Sequence, residues 1–198
     1  MGMNNKEADM KLIYKGKFDG NPESLPTREH RPGAVKFKEF DNPKKMAIFG
    51  NVLALVIVAV FMGIFYLRAD EITYIALMAG SIMALLSLFP HEILHGLCFT
   101  EEVYLYTYLS KGMLFVTSPE DLSKGRFIFM SLLPNVVFGF IPFIIAMIFP
   151  SLGFLGVFGA ISISGGAGDY YNVFNAITQM PKGAKTYIHK FNSYWYMP

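Results

Sequence analysis

The residues best suited to chemistry lie together in His91-Glu92-Ile93-Leu94-His95. On a helix, positions four apart share a face about one turn from each other. Two imidazoles placed so can close on one zinc ion, and Glu92 falls beside them, where a general base would meet a metal-activated water. The motif ends a long apolar segment, residues 72–99, of a length that crosses a bilayer as a helix. Two histidines and a glutamate are costly to bury in such a segment unless they bind or react. The competing reading is a pair of core histidines bonded to backbone, with Glu92 at a helix surface.

A catalytic zinc takes three protein ligands and keeps one position for water. Asp169 is the expected third ligand. It is the one acid within the apolar segments 126–149 and 152–178, and Gly165-Gly166-Ala167-Gly168 before it lets helices approach closely. Two alternatives remain at this stage. Asp169 can cap a helix break at those glycines, and Glu101 or Glu102, just past the motif helix, can serve as ligands instead. Asn135 follows Pro134 in mid-segment. It can bind substrate or an oxyanion, or it can satisfy the carbonyl that Pro134 frees. Tyr170, Tyr171 and Asn172 are weaker candidates beside Asp169. Cys98 lies a turn from His95, but as the single cysteine it forms no intrachain disulfide and reads best as a small apolar residue at a helix end. His30 reads as a solvated surface residue. His and carboxylate ligands serve several divalent metals, so Zn2+ is the expected ion by motif, not by ligand type alone.

The elements that must position these groups follow from composition. The 198 residues are 53% hydrophobic and 16% charged, with 19 Phe, 11 Tyr and 12 Met. Mean hydropathy is +0.38, a membrane protein's value. A net charge of +2 gives no footing for nucleic acid. Four spans are predicted, over residues 46–67, 72–99, 126–149 and 152–178. Pro90 should kink the second just before His91. Between the second and third, residues 103–109 and 113–117 are β-prone around Ser110-Lys111-Gly112, a hairpin pattern.

Lys36, Lys38, Lys44 and Lys45 flank the first span, Lys111, Lys124 and Arg126 mark the hairpin loop, and Lys182, Lys185 and Lys190 mark the tail. Basic residues favour the cytoplasmic side, so both termini and the hairpin are expected there. At 1.5 Å per residue, His91 and His95 then lie roughly 6–12 Å below that surface, and Asn135 and Asp169 near ~13 Å. Groups from three spans thus reach a similar depth. The expected fold class is an all-α integral membrane protein of four transmembrane helices with a short cytoplasmic β-hairpin loop. Its expected parts are a polar cytoplasmic arm over 1–45, a membrane domain over 46–180, and a cytoplasmic tail over 181–198. The arm holds no apolar signal-peptide segment. The tail ends in Tyr194-Trp195-Tyr196, suited to a membrane interface.

These residues resemble a family. His91-Glu92-Ile93-Leu94-His95-Gly96, Leu122-Ser123-Lys124 with Leu133-Pro134-Asn135, the Gly-Gly-x-Gly-Asp around Asp169, and Leu25-Pro26 with Arg28-Glu29-His30 look like those of the small bacterial "putative zincin peptidase" membrane proteins. These are in turn similar to site-2 type intramembrane metalloproteases. The resemblance implies His91, His95 and Asp169 as ligands and Glu92 as catalytic. The site-2 type has Asp-Gly where this chain has Asp169-Tyr170.

The expected function is that of a zinc-dependent, membrane-embedded endopeptidase in the bacterial cytoplasmic membrane, acting on a peptide or transmembrane protein substrate. Its active site would lie near the cytoplasmic face, and the 103–117 hairpin would offer a strand edge to an unwound substrate. The alternative is a non-proteolytic metal-binding membrane protein, a sensor or partner. Pure metal binding, however, needs no general base, and Glu92 is present. An ion conduit is disfavoured because the polar groups share one depth.

Overall fold

The computed structural model describes residues 11–40, 42–69, 71–108 and 112–198. Its first helix, α1 (Pro43–Arg68), starts where Asn42 accepts hydrogen bonds from the Lys44 and Lys45 N–H groups. Pro43 takes the first helical position, where a missing N–H is harmless. The helix is apolar all round, and Val52, Leu55, Val56 and Val60 face outward. That pattern suits a lipid surround. Three helical stretches are long and apolar enough to cross a membrane: Lys44–Arg68, Tyr74–Gly96 and Lys124–Ile148.

The second stretch comprises α2 (Tyr74–Leu86) and α3 (Leu88–Gly96). The bend expected at Pro90 falls at Ser87. Pro90 has no N–H for the Leu86 carbonyl, so the helical ladder stops at that carbonyl and restarts with Pro90 inside the first turn of α3. Ser87 Oγ donates to the Ala84 carbonyl at 2.8 Å across the break. The third stretch runs as α4 (Lys124–Asn135), a π-helical turn (Val136–Phe140) and α5 (Ile141–Ile148). Pro142 cannot donate to the Phe138 carbonyl, and Ile141 N–H bonds Val136 O instead, one residue wider than an α-helical bond. The fourth predicted span is two 13-residue helices, α6 (Gly153–Gly165) and α7 (Ala167–Gln179), parted at Gly166.

Backbone contact sets the place of α6. A Cβ on Gly156 would lie 2.4 Å from the Phe65 ring, and one on Gly159 would lie 2.6 Å from Phe143 N. Small residues let α6 seat directly against α1 and α5, around a core of Phe65, Phe143, Ala146, Ala160 and Ile163.

The all-α expectation is corrected by two β-sheets. Strand β1 (Lys11–Lys17) lies parallel to β3 (Glu102–Tyr108), which pairs antiparallel with β4 (Met113–Thr117). The expected 103–117 hairpin is therefore present, as part of a three-stranded sheet ordered β1-β3-β4. Its turn residues Ser110 and Lys111 lie outside the described residues. The second sheet is ordered β2-β7-β6-β5, from β2 (Val35–Lys36), β5 (Leu122–Ser123), β6 (Lys185–His189) and β7 (Asn192–Tyr196). Arm and tail, expected as polar appendages, supply β1, β2, β6 and β7. Trp195 packs against a core of Phe37, Phe99, Leu122, Phe127 and Met180. Pairing offers its backbone groups ladder partners and lets the indole leave water. His30 is exposed, yet it stacks on His189 with ring centroids 4.2 Å apart and its Nδ1 lies 2.9 Å from Tyr187 Oη.

Candidate metal centre

Helix α3 presents His91 and His95 to α7, as the four-residue spacing requires. Their Nε2 atoms are 3.1 Å apart. Asp169, in the first turn of α7, faces both: Oδ2 lies 3.4 Å from His91 Nε2 and Oδ1 lies 3.4 Å from His95 Nε2. Asp169 therefore points at the histidine pair, and α7 carries no side-chain cap at its start. His95 donates from Nδ1 to the Met130 carbonyl at 2.9 Å, a bond that fixes the tautomer and leaves Nε2 with its lone pair. Lone pairs and a carboxylate aimed at one point repel unless a cation lies among them. A tetrahedral zinc with bonds of about 2.0–2.1 Å holds its ligand atoms about 3.3–3.4 Å apart; each imidazole stands 3.4 Å from its own Asp169 oxygen, and the two imidazole nitrogens are slightly closer together, at 3.1 Å. The donor set fits zinc.

Two carboxylates flank the pair, and their roles separate by geometry. Glu92 offers an oxygen within 4.8 Å of the histidine nitrogens. Its Oε2, however, accepts the Val116 N–H of β4 at 3.1 Å, which turns it toward the sheet. Asp169 makes the closer approach to both imidazoles. The geometry thus favours Asp169 as ligand and Glu92 as the adjacent base.

The remaining candidates are engaged elsewhere. Glu101 pairs with Arg28, and Glu102 accepts from Tyr104 Oη at 2.5 Å. Cys98 Sγ turns to the Leu94 carbonyl at 3.4 Å. Tyr171 stacks loosely with Phe40 and Phe49, and Tyr170 packs against the Phe65–Phe143 core. Asn135 is engaged through its amide nitrogen, while its buried Oδ1 has no hydrogen-bond partner among the described residues. Its Nδ2 donates to Ser131 O at 3.0 Å and to Asp169 Oδ2 at 2.8 Å, which uses both N–H groups and leaves none for an oxyanion. The carbonyl that Pro134 frees is taken by His95, not by Asn135.

One supporting feature was not foreseen from the sequence. Buried Glu120 accepts from Thr100 N–H at 2.7 Å, Glu101 N–H at 3.0 Å, Thr100 Oγ1 at 2.8 Å and Arg126 Nη1 at 2.7 Å. Arg126 Nε donates to the Cys98 carbonyl at 2.8 Å. This network ties the chain leaving α3 to the start of α4. Burial pushes the Glu120 carboxyl up, but the N–H and hydroxyl donors and the Arg126 charge outweigh it and hold the group below the usual glutamate range. A glutamate after Ser118-Pro119 gives no sequence sign of such a role.

His91, Glu92 and His95 form a cluster that could hold a metal ion, with the Asp169 carboxylate facing the two histidines from another helix, in a chain whose three long apolar helices fit membrane association. Residues 84–185, more than half of the chain, match the family described as "Putative zincin peptidase". The chain belongs to that family. The matched stretch holds His91, Glu92, His95, Asn135 and Asp169, and the description points to a zinc metallopeptidase. Neither a curated protein nor a solved structure matches the chain.

Proposed function

We propose that the protein is a zinc-dependent endopeptidase hydrolysing peptide bonds in or at a membrane. The carrying observation is the convergence of His91, His95 and Asp169 on one point with Glu92 beside it. Zinc held there would supply a nucleophile from water at neutral pH and polarise the scissile carbonyl. Glu92 takes the proton of the attacking water and delivers it to the nitrogen of the breaking C–N bond. The Val116 N–H orients the carboxylate for both transfers.

The same bond argues for how substrate lies. Among the described residues β4 pairs with β3 alone, and Val116 N–H leaves β4 on its other edge, toward Glu92. An extended peptide added along that edge passes the carboxylate with its backbone held by ladder bonds. A transmembrane substrate must unwind to bind so, because helical hydrogen bonds occupy its own backbone.

The sheet pairings support four crossings. The arm joins the hairpin through β1–β3, and the tail joins the arm through β2–β7. Arm, hairpin and tail then share one side, which requires an even number of crossings between each. Helices α6 and α7 together form the fourth. The basic flanks favour the cytoplasm for that side. A histidine pair from one span and an Asp from a later one also matches the arrangement of the site-2 type. The substrate class is thus a peptide or transmembrane protein segment, not nucleic acid.

The test is cleavage of an unstructured and a membrane-embedded peptide library by the full chain in nanodiscs, read as new N-termini by mass spectrometry. Glu92→Gln should cut cleavage by at least ~100-fold, the scale of a general base, with zinc content unchanged. Equal cleavage by this variant would remove Glu92 from the chemistry.

A further inference from the structure

We propose that Pro134-Asn135 is a positioning device for the metal ligands, a role that rests on the site assigned above. In an unbroken helix the N–H of residue 134 would donate to the carbonyl of residue 130. Pro134 has no N–H, so the Met130 carbonyl loses its α-helical donor inside α4. That carbonyl lies 2.9 Å from His95 Nδ1, in a buried setting. The proline thereby creates the acceptor that sets the His95 tautomer and aims Nε2 at Asp169.

The next residue does the same for the opposite ligand. Asn135 is 1% exposed. One N–H of its amide holds Ser131 O in its own helix and the other holds Asp169 Oδ2 across to α7. The ligand carboxylate is thus tethered to the helix that orients His95. Gly166 makes room for it: a Cβ there would lie 1.8 Å from Asn135 Oδ1. Two adjacent residues of α4 therefore restrain ligands on two other helices.

The experiment uses the full chain in detergent, with Pro134→Ala and Asn135→Leu beside wild type. Three quantities are read: zinc affinity by chelator competition, the visible spectrum of the cobalt-loaded protein, and the 15N shifts of the histidine side chains in metal-free protein. Pro134→Ala adds a helix former and an N–H, so folding is expected to survive it. The restored N–H competes for the Met130 carbonyl, and His95 should shift from the Nδ1–H tautomer to a mixture. Zinc affinity should fall about 10–100-fold in each variant, as for lost partners of metal ligands, with altered cobalt bands. Unchanged tautomer in Pro134→Ala, or wild-type affinity and cobalt spectrum in both variants, would overturn the proposal while leaving the zinc site standing. Failure of wild type itself to bind zinc would instead sink the site assignment, and the tautomer shift in metal-free protein would still decide the role of Pro134.

Discussion

At the residue scale, the roles separate by what each side chain faces. His91, His95 and Asp169 face one another, Glu92 faces a backbone N–H, and Asn135 faces the ligand carboxylate. Gly166 is the least conspicuous member and gives a sharp test. Gly166→Ala drives a methyl into Asn135 Oδ1, while a Cβ at neighbouring Gly165 would meet nothing within 4 Å. Gly166→Ala should destabilise the protein by about 1–3 kcal/mol, the usual cost of overpacking, and weaken zinc binding. Gly165→Ala should leave zinc affinity unchanged. Thermal unfolding in detergent with zinc titration checks both. The juxtaposition of His91, His95 and Asp169 was legible in the sequence because residue type and spacing carry it: a four-residue interval on a helix, and an acid stranded among apolar residues. The bonds to Met130 O and Val116 N–H were not, because backbone groups are the same at every position and only tertiary packing chooses among them.

At the element scale, the Glu120–Arg126 network joins the end of α3 to the start of α4 and so holds two walls of the site together. Glu120→Ala strands three N–H or hydroxyl donors and a guanidinium. It should cost about 1–3 kcal/mol of stability. The pH dependence has a definite sign. The folded carboxyl titrates below the ordinary value, so its contribution is complete above the unfolded pKa of about 4.3 and fades as pH falls through the lower folded value. The stability gap between wild type and Glu120→Ala should therefore be constant near neutral pH and close on acidification below about pH 4. Chemical denaturation across pH reads it. The apolar helices were plain in the sequence, since length and hydropathy suffice for them. The broken places were only half plain: prolines announce a break, but Ser87 and the Val136–Phe140 turn show that the ladder yields where the missing N–H is felt, not at the ring. The β-sheets were largely hidden. The local hairpin β3–β4 was read from its sequence pattern and the second local hairpin, β6–β7, was not, whereas β1–β3 and β2–β7 join distant segments whose pairing no short-range pattern records.

At the scale of the whole molecule, the two sheets gather arm, hairpin and tail, and three long apolar helices with the α6–α7 pair carry the site beside them. Cysteines placed in a Cys98→Ser background test the four-crossing arrangement. Lys17→Cys and Lys182→Cys should label with a membrane-impermeant thiol reagent from one side, and Ser151→Cys, in the α5–α6 turn, from the other. Labelling of Ser151→Cys together with the first two would contradict it. The most direct test of the account's central claim, that His91, His95 and Asp169 form one zinc site, is metal content. Elemental mass spectrometry on the detergent-purified chain, wild type beside Asp169→Ala and Glu92→Gln, should find one zinc per chain in wild type and in Glu92→Gln, and little or none in Asp169→Ala. Zinc retained at wild-type level without Asp169, or no zinc in wild type after reloading, would contradict it.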